Sequence, residues 1–420
     1  MFNIFHNKSD LLNTISIQQE LSVKDLQLVE EIILSVRGRG DKAILDYTQQ
    51  FDRVLLDDIK ANKSAFKLED TGIIKTINQA SENIKAFHQK QMPKEFDHQQ
   101  EDGTEVSFKW RPIKKVGIYI PSGNYPLLST VLMNVIPAQV AGVDQIIICT
   151  PPQSDGKIDP YILSVCQYLE IKDIFQVGGA QAIAAMALGT ETIPKVNKIV
   201  GPGNRYVATA KQYVSNRVGI DMVAGPTELV IIADESANPT FIAGDLLSQA
   251  EHDKDAFTLL LCTQKSTIDN TKDEIIRLLK SLNTKDIATE SFLNNGFAFL
   301  TNSIDECIEI SNHIAPEHLS IQTKNVETFH NECIAGAIFL GQETPVAWGD
   351  YWAGPNHTLP TSGAAHYRGL LNVLDFLVPF SVTKGSMNQK SIHAIISLAE
   401  AEGLMGHVLS ARLREGDILC

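Results

Sequence analysis

Residues 115–124 read Lys-Val-Gly-Ile-Tyr-Ile-Pro-Ser-Gly-Asn. Val116 to Ile120 is a short run of β-branched and aromatic residues, and Pro121-Ser122-Gly123-Asn124 is turn chemistry, so the stretch predicts a strand running into a turn. The same texture repeats downstream. Residues 126–142 predict an amphipathic helix, kinked or shifted at Pro137. Gln145-Ile-Ile-Ile-Cys149 predicts a second strand and residues 158–169 a helix. Ile174-Phe-Gln-Val177 predicts a third strand, stopped at Gly178-Gly179, with an Ala-rich helix over 180–188. Lys198-Ile-Val200 is a short strand before Gly201-Pro-Gly-Asn204, and a helix follows to about residue 215. Strands alternating with helices through Gly-rich turns predict a parallel sheet covered on both faces.

A second unit of the same kind follows. Glu228-Leu-Val-Ile-Ile-Ala233 is a strand, and Asn238-Pro239 opens a helix where the missing Pro N–H is not needed. That helix ends near His252, and Phe257-Thr-Leu-Leu-Leu-Cys262 is the next strand, a crossover of right-handed sense. Phe297-Ala-Phe-Leu300, Leu319-Ser-Ile321 and Ala335-Gly-Ala-Ile-Phe-Leu340 are further strands, and Ser303 with Glu306 forms a capping box. The first hundred residues are polar with helical periodicity, and residues 94–105 read as a loop or edge. Residues 380–420 read as helical, over 392–402 and 407–413. The fold expected is therefore α/β: two doubly wound Rossmann-like units with small helical N- and C-terminal segments.

Composition narrows the function. The chain has 420 residues, too many for one ordinary core, and a formal net charge of −14. Nucleic acid and anionic membrane need a basic face, so neither is expected as a partner. No apolar stretch reaches membrane length uninterrupted, and the first ten residues lack a basic region followed by an apolar one, so a cytoplasmic protein is expected. Cys149, Cys166, Cys262, Cys307, Cys333 and Cys420 contain no C-x-x-C pair and read as reduced thiols.

Four clusters carry chemistry. In Ser248-Gln-Ala-Glu-His-Asp253, Gln249 and His252 lie three apart on one helix face. A carboxamide oxygen and an imidazole can hold a divalent metal, although spacing alone equally describes a solvated face. Pro316-Glu-His-Leu319 offers a base and a proton relay, or a solvated turn. Gly349-Asp350 to His357-Thr-Leu-Pro360 is a Gly/Pro-rich loop bearing Asp and His, or a turn with a capped Asp. Glu402-Gly-Leu-Met-Gly-His407 ends a helix. Gly178-Gly-Ala-Gln181 and Gly201-Pro-Gly-Asn204 are either phosphate-binding nests or plain turns, and neither is the G-x-G-x-x-G fingerprint.

Taken in order, these blocks resemble the histidinol dehydrogenase family. The resemblance runs from about residue 115 to 414 and rests on Tyr119-Ile-Pro, Val177-Gly-Gly-Ala-Gln-Ala-Ile-Ala, Gly201-Pro-Gly-Asn, Ala224-Gly-Pro-Thr-Glu, Leu246-Leu-Ser-Gln-Ala-Glu-His, Ala315-Pro-Glu-His-Leu, Gly349-Asp-Tyr, Asn356-His-Thr-Leu-Pro-Thr and Glu402-Gly-Leu-x-x-His407. It implies a zinc- and NAD-dependent four-electron oxidation of L-histidinol to L-histidine through L-histidinal, the last steps of histidine biosynthesis. It implies one Zn2+ per subunit, held by Gln249, His252, Asp350 and His407. It implies Glu317 and His318 as catalytic residues. His318 would take the hydroxyl proton, Glu317 would activate water toward the aldehyde, and His318 would act again in the second oxidation. Thr227, His357 and Glu402 would contact substrate, together with Gln249, His252, His318, Asp350 and His407. Tyr119, Gln181 and Asn204 would contact NAD. A homodimer is implied, with the C-terminal segment reaching the other chain's site.

The expected division is a helical segment over 1–14, an α/β domain from 15–118 and 229–371 carrying most of the zinc and catalytic site, a Rossmann-like NAD domain over 119–228, and a C-terminal helical segment over 372–420. Three departures from the family pattern stand out: Thr227 where many relatives carry Ser, Ser122-Gly123-Asn124 after the first strand, and Met405-Gly406 before His407. Two other functions remain open at this level. One is a zinc-dependent hydrolase using Glu317 on a metal-bound water. The other is a non-catalytic metal- or nucleotide-binding protein.

Overall fold

The computed structural model describes residues 3–5, 7–17, 23–61, 71–122, 125–328, 330–385 and 387–415. Gly123 and Asn124 of the departing turn, and Cys420, lie outside them. The chain forms two compact units. The larger comprises residues 1–91 and 113–376, the smaller residues 92–112 and 377–420.

Fourteen strands are present among the described residues. They are β1 (Asn3–Phe5), β2 (Phe96–Gln99), β3 (Glu105–Pro112), β4 (Lys115–Tyr119), β5 (Gln145–Thr150), β6 (Asp173–Gln176), β7 (Lys198–Val200), β8 (Gly219–Ile220), β9 (Glu228–Ala233), β10 (Phe257–Cys262), β11 (Gly296–Leu300), β12 (His318–Gln322), β13 (Ala337–Leu340) and β14 (Leu377–Lys384).

The larger unit holds two wholly parallel sheets. One has the order β6-β5-β4-β7-β8 and the other β1-β11-β10-β9-β12-β13. Counted from its own first strand, each sheet runs 3-2-1-4-5, the doubly wound order, and the second gains β1 at its edge. The switch points, where crossovers leave in opposite directions, fall between β4 and β7 and between β9 and β12.

The residue pattern explains the layering. In the second sheet Leu229, Ile231, Leu260 and Ala298 pack to one face, while Val230, Ile232, Leu259, Leu261 and Leu319 pack to the other. Alternation by two sends neighbours to opposite faces, and helices cover both. In the first sheet Ile147, Cys149, Phe175 and Ile199 share a core with helices Gly179–Leu188 and Arg205–Val214. Val29, Ile32, Ile33 and Val36 of helix Val23–Arg39 pack into that same core. Cys149, Cys166, Cys262 and Cys307 are buried and joined in no disulfide.

Several elements differ from expectation. Helix Leu128–Val140 contains Pro137, as expected, but is buried from Thr130 to Ala138 rather than amphipathic, because both the sheet and a loop lie against it. The N-terminal segment contributes β1 as well as helix Lys8–Ile17. Phe5 meets the Phe297 ring at 5.6 Å, which ties the strand to the sheet edge. Ser303 caps its helix by accepting from Glu306 N, but Glu306 reaches back to Asn302 N, so the box is shifted by one residue. Residues 380–384 are strand rather than helix. β14 pairs antiparallel with β3, and β3 with β2, forming a third sheet in the smaller unit. Helices Gln389–Ala401 and Met405–Arg412 follow it.

Candidate active site

The two switch points present their residues differently. On the first sheet the motif residues stand at the C-terminal ends of strands, where doubly wound sheets bind ligands. Tyr119 ends β4, Gly178-Gly179 follow β6, and Gly201 to Asn204 follow β7. On the second sheet they stand at the opposite, N-terminal ends: Thr227 and Glu228 at the head of β9, Glu317 and His318 at the head of β12.

At the first switch point Gly201 has φ +110°, and a Cβ there would collide with the Tyr119 carbonyl oxygen. Only glycine allows this close approach. The Gly201 peptide is clamped on both sides: its N–H donates to Asp221 Oδ2 at 2.8 Å and its carbonyl accepts from Lys211 Nζ at 2.9 Å. Asn204 caps helix Arg205–Val214, accepting from Tyr206 N and Val207 N. The Tyr119 hydroxyl accepts from Gly179 N at 3.1 Å, and burial pushes its pKa up to about 12. Gln181, 1% exposed, keeps its carboxamide Oε1 buried without a hydrogen-bond partner among the described residues. Backbone turned toward two helix N-termini, a glycine cradle and one orphaned polar atom fit a dinucleotide phosphate chain.

At the second switch point the hydrogen bonds form one chain. Thr227 Oγ1 donates to Glu317 Oε2 at 2.5 Å. Its only proton is thereby used, so it can only accept from Gln249 Nε2, which it does. That bond turns the Gln249 amide nitrogen toward Thr227 and leaves Oε1 free as a donor atom for a metal. His252 lies just past the end of helix Pro239–Ala250 rather than on its face; it is exposed and donates Nδ1–H to the Ser248 carbonyl at 2.8 Å, which leaves the Nε2 lone pair free.

His318 is held in the same way. Its Nδ1 donates to the Glu228 carbonyl at 3.0 Å and lies 3.4 Å from Glu317 Oε2. Its Nε2 is buried, has no hydrogen-bond partner among the described residues, and faces Asp350 Oδ1 at 3.9 Å. Burial opposes a charged ring, but the Glu317 and Asp350 carboxylates outweigh it and push His318 up to about 9. Burial likewise works against the Glu317 carboxylate, yet His318 and the bonds from Thr227 and Glu228 hold it below its ordinary value. Burial pushes Glu228 up to about 8.

Asp350 stands in the short helix Val346–Tyr351 rather than in a loop, and His357 completes the pocket from the irregular stretch that follows. Its Nε2 lies 3.0 Å from Ser129 Oγ, and burial lowers its pKa while Asp350 raises it. Asn356 Nδ2 donates to the Met133 carbonyl at 2.5 Å, and Asn134 Nδ2 to Thr358 Oγ1 at 3.3 Å. These bonds fasten the loop to the helix of the first sheet.

The structure thus joins Gln249, Thr227, Glu317, His318 and Asp350 by direct contacts and sets His357 beside them. Glu402 and His407 belong to the smaller unit and are exposed there. Among the described residues, no three His, Cys, Asp or Glu side chains stand at metal-holding spacing. The expected donors of one chain, Gln249, His252 and Asp350, are a carboxamide, an imidazole and a carboxylate, a set short of the four ligands that zinc takes. Sequence reasoning missed Glu228, Ser129 and the Lys211–Asp221 pair. A carboxylate heading an otherwise apolar strand, as in Thr227-Glu228-Leu229, was the one available signal.

Comparisons with known proteins agree in one direction. Residues 17–415 match the family described as histidinol dehydrogenase. A histidinol dehydrogenase of Listeria monocytogenes is 44% identical over 417 residues, 97% of each chain. One from Clostridium acetobutylicum is 44% identical over 398 residues, 93% of this chain and 92% of that one. The crystal structure of histidinol dehydrogenase from Elizabethkingia anophelis superposes with a TM-score of 0.89 at 38% identity, covering 99% of this chain and 97% of that one. These whole-length relatives are dehydrogenases, which decides the choice against a hydrolase.

Proposed function

Since the chain belongs to the histidinol dehydrogenase family and oxidises L-histidinol to L-histidine with NAD, we propose that the linked side chains at the head of β9 and β12 are where it does so. The observation that carries this reading is the unbroken chain of contacts from Gln249 through Thr227 and Glu317 to His318 and Asp350. His318 in its neutral form, whose share grows as pH rises toward about 9, takes the substrate hydroxyl proton at Nε2, because Nδ1–H is committed to the Glu228 carbonyl. Glu317 takes a proton from the water that adds to the aldehyde, and His318, once it has passed the first proton to solvent, accepts again in the second oxidation. Thr227 and His357 flank the substrate.

Gln249, His252 and Asp350, with His407 of a second copy, would hold one Zn2+. When bound, the metal orients the imidazole and amine of histidinol. Tyr119, Gln181 and Asn204 would hold NAD, which accepts hydride in each oxidation. We assign the NAD-binding domain to the β4–β8 sheet and the metal and catalytic side chains to the β9–β13 sheet. Glu402 and His407 would complete the site of the other chain in a homodimer. No helix among the described residues is long and apolar enough to cross a membrane, which accords with the cytoplasmic setting proposed.

The test is His318→Asn in folded, zinc-loaded protein, followed by nicotinamide absorbance with L-histidinol. Loss of kcat by about a hundredfold or more supports the role, within the usual range for a general base. Activity within twofold of the parent removes it.

A further inference from the structure

Glu228 touches both proposed catalytic residues, and in three different ways. Its backbone N–H donates to Glu317 Oε2 at 3.0 Å. Its carbonyl accepts from His318 Nδ1 at 3.0 Å. Its own carboxylate oxygen Oε2 accepts from Glu317 N at 3.2 Å. The other oxygen, Oε1, accepts from Ser362 N at 2.9 Å. One residue therefore ties the head of β9 to the head of β12 and to the turn at Ser362, beyond His357. Both tied segments are bent by left-handed residues, Ala315 at φ +49° and Ser362 at φ +56°. Neither has glycine's freedom, so bonds from outside the segment must hold these conformations.

Glu228 is 7% exposed, and no ion pair joins its carboxylate among the described residues. A buried carboxyl with no direct ion-pair partner is a costly choice for packing alone. What it offers is geometry. A carboxyl presents two coplanar acceptors, and here each takes one main-chain N–H from a different segment of the pocket.

We propose that Glu228 is a positioning residue for the oxidation, holding Glu317 against Thr227 and His318 Nε2 toward Asp350. The proposal rests on the assignment of Glu317 and His318 as the proton-transfer pair. Glu228 does not touch substrate; it sets where the two acceptors stand.

E228Q is the direct test. The substitution keeps the shape but turns one acceptor into an NH2 group facing an N–H donor. We expect kcat to fall by about 10- to 100-fold, the scale of an ångström-sized misplacement, with KM for histidinol and for NAD within about threefold of the parent. A folded E228Q with parental kcat, or with its loss confined to KM, overturns the proposal. E317Q and H318N measured alongside separate the two ideas. If both stay active, the proton-transfer assignment fails whatever E228Q does. If both are dead and E228Q is parental, only the positioning role fails.

Should E228Q not fold, E228A gives a second reading. Glu228 borders a cavity of about 290 Å³ that Pro226, Asp255 and Ser362 also line, which is room for a small carboxylate. Formate at tens of millimolar should then restore kcat several-fold in E228A and leave the parent unchanged. A folded, inactive E228A that formate does not move overturns the proposal.

Discussion

Lys211 and Asp221 form an ion pair sealed from water, with side chains 2% and 1% exposed. The pair does more than neutralise itself. Between its two members lies the Gly201 peptide, its carbonyl on Lys211 and its N–H on Asp221. Two charges drawn out of water are here the frame of a turn.

Removing one member should therefore be worse than removing both. Lys211→Met leaves a bare buried carboxylate and is expected to destabilise the fold by about 3–5 kcal/mol, as broken buried pairs do. Adding Asp221→Asn should recover part of the loss in a thermal or urea melt. A double variant no more stable than K211M would mean that the pair is not coupled.

Gly201→Ala tests the turn itself. The added methyl would strike the Tyr119 carbonyl, and φ +110° is strained for any L side chain. The expected result is a KM for NAD at least tenfold higher, with KM for histidinol little changed. An unaltered KM for NAD would move the cofactor away from this turn.

Glu317 and His318 should separate the two oxidations. Glu317→Gln is expected to slow histidinal to histidine more than histidinol to histidinal, because only the second half adds water. Single-turnover kinetics with each substrate would show it. Equal slowing of both halves would leave Glu317 without its role as water activator.

His252→Asn is expected to lower the zinc retained after dialysis and the activity together, read by metal analysis and NADH formation. Full zinc content would take His252 out of the ligand set.

Asp245 predicts a dependence on pH. It is buried in helix Pro239–Ala250 and accepts from Gln322 Nε2 at 2.9 Å, and burial raises its pKa from 3.8 to about 7. The folded state thus favours the protonated acid. That contribution is complete below about pH 3.8 and is lost as pH rises through about 7. Asp245→Asn cannot ionise, so it should melt a few degrees above the parent at pH 8, and the gap should close toward pH 4. A gap that widened on acidification would reverse the sign.

Much of this architecture was legible residue by residue. Val116–Gly117–Ile118 and Ile146–Ile147–Ile148 are continuous apolar runs because both faces of a parallel sheet are covered, and their Gly-rich ends announce the doubly wound plan. The third sheet was not legible. β14 exposes Val378, Phe380 and Val382, and its pairing partner β3 lies some 270 residues earlier, so local texture carries no trace of the pairing. Glu228 was hidden for a related reason. A Glu at the head of a strand reads as a solvated end, and only the fold brings Ser362 and Glu317 onto its two oxygens. The family blocks gave Gln249, His252 and Asp350 as a set; spacing alone gave only the first two.

The parallel pairing of β1 with β11 bears on how the chain assembles as it is made. Residues 115–220 carry a whole sheet within one contiguous stretch, so the β4–β8 layer can close as soon as that stretch is free of the ribosome. The other sheet cannot. Its edge strand, residues 3–5, is made some 290 residues before residues 297–299, its only strand partner among the described residues. Throughout that interval Ile4 and Phe5 remain an unpaired apolar edge, the kind of surface that chaperones hold and misfolding exploits.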